Sequence, residues 1–162
     1  MTASPESPPV VAFYCATFLK PEMLHIYRQI TALERVLPVV IAQKRENPEK
    51  FPFEKIDVVK KPWTHFLRRF WFRQICNKPW QLSKYEAALI TSVLNREQAQ
   101  VLHIFFGHIA VHLLPLIRKW PKPRVVSFHG ADVLVDMDQP AYRKATREML
   151  SLVTRVFVRA ES

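Results

Sequence analysis

The chain has 162 residues, of which 49% are hydrophobic and 12% aromatic, a composition that excludes a disordered segment and indicates one packed domain. Its formal net charge of +10 at pH 7 is high for this length and points to a polyanionic partner: nucleic acid, an anionic membrane or a phosphorylated ligand. No apolar run reaches the ~18 residues of a membrane span, and the two cysteines, Cys15 and Cys76, form neither a disulfide framework nor a metal motif.

The first nine residues are predicted to be a flexible leader. They contain Glu6 and three prolines, without a basic region that leads into an apolar stretch, so the sequence predicts no secretory signal. Isolated cysteines of this kind are typical of a reducing compartment. We therefore expect a cytoplasmic protein that at most lies on the cytoplasmic face of a membrane.

Short apolar runs then alternate with longer segments of helical character. Strands are predicted at 10–14, 39–42, 56–59, 101–105, 124–128 and 153–158. Helices are predicted at 21–36, 63–76, 83–97, 109–119 and 138–150. Ser83 and Glu86 stand in the S-x-x-E relation of a capping box, and Pro115 is expected to kink its helix. This alternation predicts an α/β, Rossmann-like domain with a parallel sheet covered by helices on both faces.

The only two glycines, Gly107 and Gly130, each follow a predicted strand. Glycine at such a position serves a plain turn, or allows positive φ and close approach of the backbone to a ligand. Gly130 stands beside His129, which can hydrogen-bond a hydroxyl or titrate near neutrality. Asp132, two residues further, either caps the next helix, its more usual role, or accepts a hydrogen bond from a sugar hydroxyl. Ligands of parallel sheets bind beyond the carboxyl ends of the strands, where these residues are expected.

The run Val126–Asp132, preceded by Gly107 and His108, resembles the N-terminal domain of family 4 glycosyltransferases, the first half of a GT-B fold. The segments that look like this domain are 17–18, 29–30, 39–42, 105–108, 113–116 and 123–133. The resemblance therefore covers nearly all of the chain, and its most specific part is the strand followed by His-Gly-x-Asp.

This resemblance implies a retaining hexosyltransferase that moves a sugar from a nucleotide-sugar donor to a glycan or lipid-linked acceptor, without a metal or other cofactor. In such enzymes the N-terminal domain mainly holds the acceptor, and the C-terminal domain binds the nucleotide-sugar. Carried over to this chain, His129 is the catalytic position and contacts a hydroxyl of the transferred sugar. The expected substrate-binding positions are Thr17, Phe18, Gly107, His108, Gly130 and Asp132.

Two features depart from the family pattern. The stretch 15–20 contains no glycine, whereas many relatives have a glycine-rich loop there, so the resemblance does not extend to a phosphate contact at this loop. A complete enzyme needs two domains of roughly 150–200 residues each. Residues 10–162 are therefore expected to be a truncated acceptor-side domain, with 159–162 at the edge of the cleft. We expect it to be inactive without its C-terminal domain.

The segment 60–80 contains six basic residues and no acidic residue. Six of its large apolar side chains share one face of the predicted helix, opposite most of the arginines, whereas Phe72 falls among the arginines; the six are Trp63, Phe66, Leu67, Phe70, Trp71 and Ile75. Such a helix either covers the sheet with its aromatic face or lies in a membrane interface and attracts anionic lipid headgroups. The membrane-surface candidates are Lys61, Arg68, Arg69, Phe72 and Arg73.

The alternative function is therefore a non-catalytic basic module that binds an anionic membrane surface or nucleic acid through residues 60–80. Nucleic acid is not expected, because the spacing of the aromatics indicates burial and no known nucleic-acid motif is present. A dinucleotide-binding domain is disfavoured, since the phosphate-binding glycines are missing. His108 and His112 share a helical face, but a zinc site lacks a third ligand nearby.

Overall fold

The computed structural model describes residues 7–158 and contains a six-stranded, all-parallel sheet in the order β3-β2-β1-β4-β5-β6. The strands are β1 (Val10–Phe18), β2 (Leu37–Arg45), β3 (Ile56–Val58), β4 (Val101–Phe105), β5 (Arg124–Phe128) and β6 (Arg155–Val158). The predicted α/β, Rossmann-like fold is thereby confirmed. The strand order reverses between β1 and β4, which makes this the topological switch point of the sheet. Positions 1–6 of the predicted leader and the final segment 159–162 lie outside the described residues.

The helices are α1 (Leu24–Thr31), α2 (His65–Phe70), α3 (Lys84–Arg96), α4 (Gly107–His112), α5 (Leu114–Ile117) and α6 (Pro140–Leu152). A 3-10 turn (Pro21–Met23) precedes α1, and a wider π-helical segment (Trp71–Ile75) continues α2. The helix predicted at 21–36 ends early, because the chain must reverse to pair Leu37 with Val10. The helix predicted at 109–119 is two short helices, α4 and α5, that meet at Leu113. Pro115, in the first turn of α5, has no backbone N–H to donate to the preceding turn, so a continuous helix is interrupted there.

Alternate residues of the central strand β1 point into two separate cores. Phe13 packs with Ile26 and Ile30 of α1 on one face of the sheet. Tyr14 points to the opposite face, into the core formed with α3, α4, α5 and α6. Helices thus cover both faces, as predicted. Among residues 7–158, no helix is long and apolar enough to cross a bilayer.

The predicted capping box begins α3 and also anchors α2. The backbone N–H of Glu86 donates to Ser83 Oγ at 3.1 Å, and the backbone N–H of Ser83 donates to Glu86 Oε2 at 2.9 Å. The same carboxylate, with its side chain only 2% exposed, accepts from Arg68 Nη1 at 3.1 Å. Arg68 also donates to the carbonyl of Gln81 at 3.2 Å. Arg68 is therefore turned toward the domain and fixes the orientation of α2.

The apolar side of α2 and of the π-helical segment consequently points to solvent. Its six large side chains are between 56% and 85% exposed: Trp63, Phe66, Leu67, Phe70, Trp71 and Ile75. We call these side chains the exposed apolar face. The interpretation of a helix that covers the sheet with its aromatic face is wrong for this segment. Periodicity grouped the side chains correctly, but the ion pair to Glu86 determines which side faces inward.

Candidate functional site

The loops that follow β4 and β5 are joined at the carboxyl edge of the sheet by one carboxylate. Asp132 Oδ2 accepts a hydrogen bond from the backbone N–H of Gly107 at 2.8 Å. Asp132 Oδ1 accepts one from the backbone N–H of His129 at 2.7 Å. Because Gly107 begins α4, the negative charge lies at the N-terminus of that helix, where the helix dipole favours it. Three of the predicted site residues are thus held together.

The two glycines of this edge are required for different reasons. A Cβ atom at Gly107 would overlap the ring of Phe128, so this glycine permits the close approach of α4 to β5. Gly130 has φ of +90°, a conformation that side-chain-bearing residues rarely adopt. Among the residues that the structure describes, no heavy atom beyond Gly130 and its two chain neighbours lies within 4 Å of the position that a Cβ atom would take. The space beside Gly130 is therefore open, whereas the space beside Gly107 is filled.

His129 lies between the sheet and α1, against a small cavity. Its ring centroid is 5.0 Å from that of His25 in α1 and 5.0 Å from that of Phe106. The cavity measures about 360 Å³ and is lined by His25, Gln29, Ser127, Phe128, His129, Phe157 and Val158. The expected catalytic position therefore faces a concave, partly polar surface beside Gly130.

A buried hydrogen bond supports this cavity from the middle of the sheet. His103 Nε2 and Ser127 Oγ are 2.6 Å apart, and both residues are buried. Burial, together with the nearby charge of His129, lowers the pKa of His103 to about 4, so its ring is neutral at pH 7. Sequence reasoning gave no role to His25, His103 or Ser127. They carry no local motif and are brought to His129 by the packing of α1 and the pairing of β4 with β5.

His108 faces a different and larger cavity, on the other side of the carboxyl edge. This cavity measures about 780 Å³ and lies between α4, the segment formed by α2 and the π-helical turns, and the start of α6. Phe106 contacts both histidine rings, at 5.8 Å from His108 and 5.0 Å from His129. The predicted residues His108 and His129 are therefore neighbours along the edge, but they do not share one cavity.

The larger cavity contains a stack of three side chains that the sequence did not indicate. Lys61 Nζ lies 5.7 Å from the centre of the Trp80 ring, which stacks on His112 at 4.0 Å. His112 Nδ1 donates to the carbonyl of Trp80 at 3.1 Å, and burial lowers the pKa of His112 to about 4. Within residues 7–158, no three His, Cys, Asp or Glu side chains converge as a metal site requires.

Two expected acceptor contacts fall outside both cavities. Phe18 is fully buried and packs against Phe53, with ring centroids 5.9 Å apart. The expected contact of its side chain with an acceptor therefore does not fit the structure. Thr17 is half-buried, and neither residue lines either cavity, although their neighbour Ala16 lines the larger one.

The five membrane-surface candidates differ in whether their side chains are exposed and whether they are held by a partner within the domain. Lys61, Arg69 and Arg73 are exposed residues that also line the larger cavity. Arg68 is held inward by Glu86, so it is not available to a lipid headgroup. Phe72 is half-buried and does not belong to the exposed apolar face. Three of the five expected positions therefore remain at the surface as cations.

Comparison with known proteins adds no further constraint, because no protein-family model and no curated protein matches the sequence. Function is therefore inferred from the geometry of the carboxyl edge and from the resemblance of the segment 126–132. Three features of that edge carry chemical meaning: the Asp132 clamp, the small cavity at His129 and the basic cavity beside α4.

Proposed function

We propose that this chain is the acceptor-side domain of a retaining glycosyltransferase, which moves a sugar from a nucleotide-sugar to a glycan or lipid-linked acceptor. The observation that supports this best is the clamp of Asp132 on the backbone amides of Gly107 and His129. It fixes the two loops that carry the resemblance at the carboxyl edge, which is the ligand-binding edge of Rossmann-like sheets.

In this proposal His129 positions the transferred sugar. Its ring lines the small cavity, and the adjacent Gly130 leaves open space for a ligand. An imidazole can donate a hydrogen bond to a sugar hydroxyl or accept one from it. A retaining transfer on one face of the sugar depends on positioning and charge stabilisation more than on a strong base. Nucleotide binding is assigned to a second domain, as the resemblance implies, and no metal is required.

Sugar transfer by the protein that joins this domain to its donor-binding domain is the direct test. A panel of radiolabelled nucleotide-sugars is supplied with lipid and glycan fractions as acceptors, and we expect label to enter one of those fractions. His129→Ala should lower kcat by about 100-fold, the effect of removing one well-placed polar group from a transferase site. Gln100→Ala, an exposed polar residue outside both cavities, is the control and should retain activity.

Two outcomes would count against this proposal. If no nucleotide-sugar of the panel is consumed, the chain does not belong to a transferase of this kind. If His129→Ala is fully active, His129 has no part in the transfer. The thermal unfolding midpoint of His129→Ala is measured alongside, so that loss of activity is separated from loss of fold.

A second candidate function, binding to an anionic membrane surface, is favoured by the exposed apolar face. Soluble monomers rarely expose a large contiguous apolar patch without a binding role. The cations Lys61, Arg69 and Arg73 are near this face, since Phe66 and Phe70 line the same cavity as they do. An apolar helical face with neighbouring cations is suited to the interface of an anionic bilayer. The two candidate functions are compatible, because a lipid-linked acceptor is reached at such a surface.

Co-sedimentation with vesicles of phosphatidylcholine, with and without phosphatidylserine, tests the membrane candidate. We expect binding that requires phosphatidylserine and that is lost in Trp63→Ser/Trp71→Ser. Tyr85→Ser is the control, because the exposure of Tyr85 lies between those of Trp63 and Trp71 but Tyr85 is on α3, outside the exposed apolar face. Exposure of the aromatics also removes the objection that they are too buried to stack on bases. Preferential binding to single-stranded DNA, or vesicle binding unchanged in the tryptophan variant, would contradict the membrane assignment.

A further inference from the structure

The larger cavity concentrates positive charge. Four cationic side chains line it, together with a single carboxylate: Lys61, Arg69, Arg73, Lys78 and Asp136. Asp136 pairs with Arg73 at 3.3 Å. No ion pair formed within residues 7–158 engages the other three cations. The cavity therefore carries an excess of positive charge that the protein itself does not neutralise.

The surroundings of Lys61 show why this excess favours an anionic ligand. Lys61 is exposed as a whole residue, but partial desolvation of its ammonium at the cavity, together with the nearby charge of Arg69, lowers its pKa. Burial and the charge of Lys61 likewise lower the pKa of His65. The surroundings of the Lys61 ammonium therefore disfavour its charge, and an anion bound beside it would offset that effect.

The number and the kinds of cationic side chains favour a phosphate group over a carboxylate. Two arginines and two lysines offer forked and single N–H donors, which match the several oxygens and the higher charge of a phosphate or pyrophosphate. A carboxylate has two oxygens and one charge, and would leave most of these donors without a partner. The cavity is also large enough for a phosphorylated headgroup.

The apolar surroundings of the cavity identify the rest of the ligand. Phe66 and Phe70 line the cavity, and both also belong to the exposed apolar face. The charged lining and the exposed apolar face are therefore continuous. A ligand that satisfies both surfaces has a phosphorylated head and a hydrocarbon chain.

We propose that this cavity binds the phosphate or pyrophosphate headgroup of a single lipid, whose hydrocarbon chain lies along the exposed apolar face. That this lipid is the acceptor of the sugar rests on the proposed function. That the cavity binds the lipid does not require sugar transfer, so binding and transfer are tested separately.

Calorimetric titration of the chain with decyl phosphate, below its micelle concentration, tests the binding. Two further compounds are titrated in parallel. Inorganic phosphate has the charged group without a hydrocarbon chain, and decyl maltoside has the decyl chain without a charged group. We expect decyl phosphate to bind at least about tenfold more tightly than inorganic phosphate, which corresponds to about 1.4 kcal/mol. Decyl maltoside should show no saturable binding.

Two sets of substitutions separate the contribution of the phosphate group to the binding affinity from that of the decyl chain. Lys61→Gln/Arg69→Gln should weaken the binding of both phosphates by about tenfold or more. Phe66→Ser/Phe70→Ser should leave inorganic phosphate unchanged and remove the advantage of the decyl chain. Lys119→Gln/Arg147→Gln is the matched control, because it removes the same charge from exposed residues that do not line the cavity. Its affinity for decyl phosphate should stay within about twofold of wild type.

Circular dichroism establishes that each variant is folded. If Lys61→Gln/Arg69→Gln unfolds, Lys78→Gln, in an exposed loop, replaces it.

The inference is overturned if decyl phosphate shows no saturable binding. Equal affinity for inorganic and decyl phosphate would mean a site for free phosphate, and equal weakening in the control pair would mean diffuse charge attraction. Binding without sugar transfer would leave this inference standing and count against the proposed function alone. Sugar transfer to a lipid without binding at this cavity would support the proposed function and overturn this inference.

Discussion

The carboxylate of Asp132 accepts a hydrogen bond of 2.8 Å from the backbone N–H of Gly107, which lies 25 positions earlier in the chain. Its second oxygen accepts from the backbone N–H of His129 at 2.7 Å. The loops that follow β4 and β5, which are far apart in sequence, are thereby held in a fixed position relative to each other. Whatever ligand the edge binds, its position relative to His129 depends on this carboxylate.

Asp132→Asn should loosen that edge. The amide is nearly the same size as the carboxylate, but its NH2 group replaces one of the two acceptor oxygens and cannot accept from the backbone N–H that it then faces. Loss of one charge-assisted hydrogen bond should lower the free energy of unfolding by about 2 kcal/mol. Urea denaturation measures this change, and amide exchange at Gly107 and His129 should become faster.

Asp138→Asn is the matched control for this substitution, because Asp138 is exposed. Its unfolding free energy should stay within about 0.5 kcal/mol of wild type. Equal stability and equal amide exchange in Asp132→Asn and Asp138→Asn would mean that the clamp does not hold the edge.

The two glycines of the edge should differ in their tolerance to alanine. At Gly107 an added methyl group overlaps the ring of Phe128, and we expect a loss of about 3 kcal/mol, as for overpacking of a filled core. At Gly130 the methyl group meets no other group of residues 7–158 beyond its chain neighbours, and we expect only the cost of positive φ, about 1 kcal/mol.

Thermal or urea unfolding of Gly107→Ala and Gly130→Ala gives the order of the two losses. Phe128→Leu, introduced into Gly107→Ala, should restore part of the stability because it removes the ring that obstructs the methyl group. The steric explanation fails if Gly130→Ala is the less stable variant, or if Phe128→Leu only adds to the loss.

Much of the fold was predictable because it depends on local pattern. The strands at 101–105 and 124–128 were predicted at the bounds the structure shows, since a short apolar run between polar segments has few alternatives. The capping box of Ser83 and Glu86 was predictable for the same reason, because both partners lie within one helical turn.

The candidate site was predictable only in part, because its contacts join distant segments. The pattern placed Gly107, His129 and Asp132 at the same edge, but not the two hydrogen bonds that connect them. Likewise, the 3.6-residue period identified the apolar face of the segment 63–75 without its direction. That direction depends on Arg68 and Glu86, which are 18 positions apart. The proposed roles of these residues in sugar transfer remain predictions.

Arg68→Ala should release α2 from the domain. It removes the hydrogen bonds to Glu86 and to the carbonyl of Gln81. Within residues 7–158, the buried carboxylate of Glu86 then keeps hydrogen bonds to Ser83 alone. We expect a loss of about 2 kcal/mol, together with faster amide exchange over residues 65–70. Arg69→Ala is the matched control, because Arg69 is exposed and forms no ion pair within residues 7–158, so its loss should be near zero. Equal stabilities for the two variants would show that the ion pair does not anchor α2.

The stability of the domain should fall as the pH falls from 7 to 5. Burial lowers the pKa of His103 from 6.5 to about 4, and it lowers that of His112 to the same value. In the unfolded chain both rings take up a proton below pH 6.5, whereas in the folded domain they remain neutral until about pH 4. The unfolded state therefore binds more protons between pH 7 and pH 5. Over this range, each histidine lowers the free energy of unfolding by about 2 kcal/mol.

In urea titrations, His103→Gln should lose the part of this pH dependence that is due to His103. Ser127→Ala removes the hydrogen bond to His103 but keeps the buried ring, and should retain the pH dependence. A slope in His103→Gln equal to that of wild type would mean that His103 takes up its proton in the folded domain, and that burial does not hold it neutral.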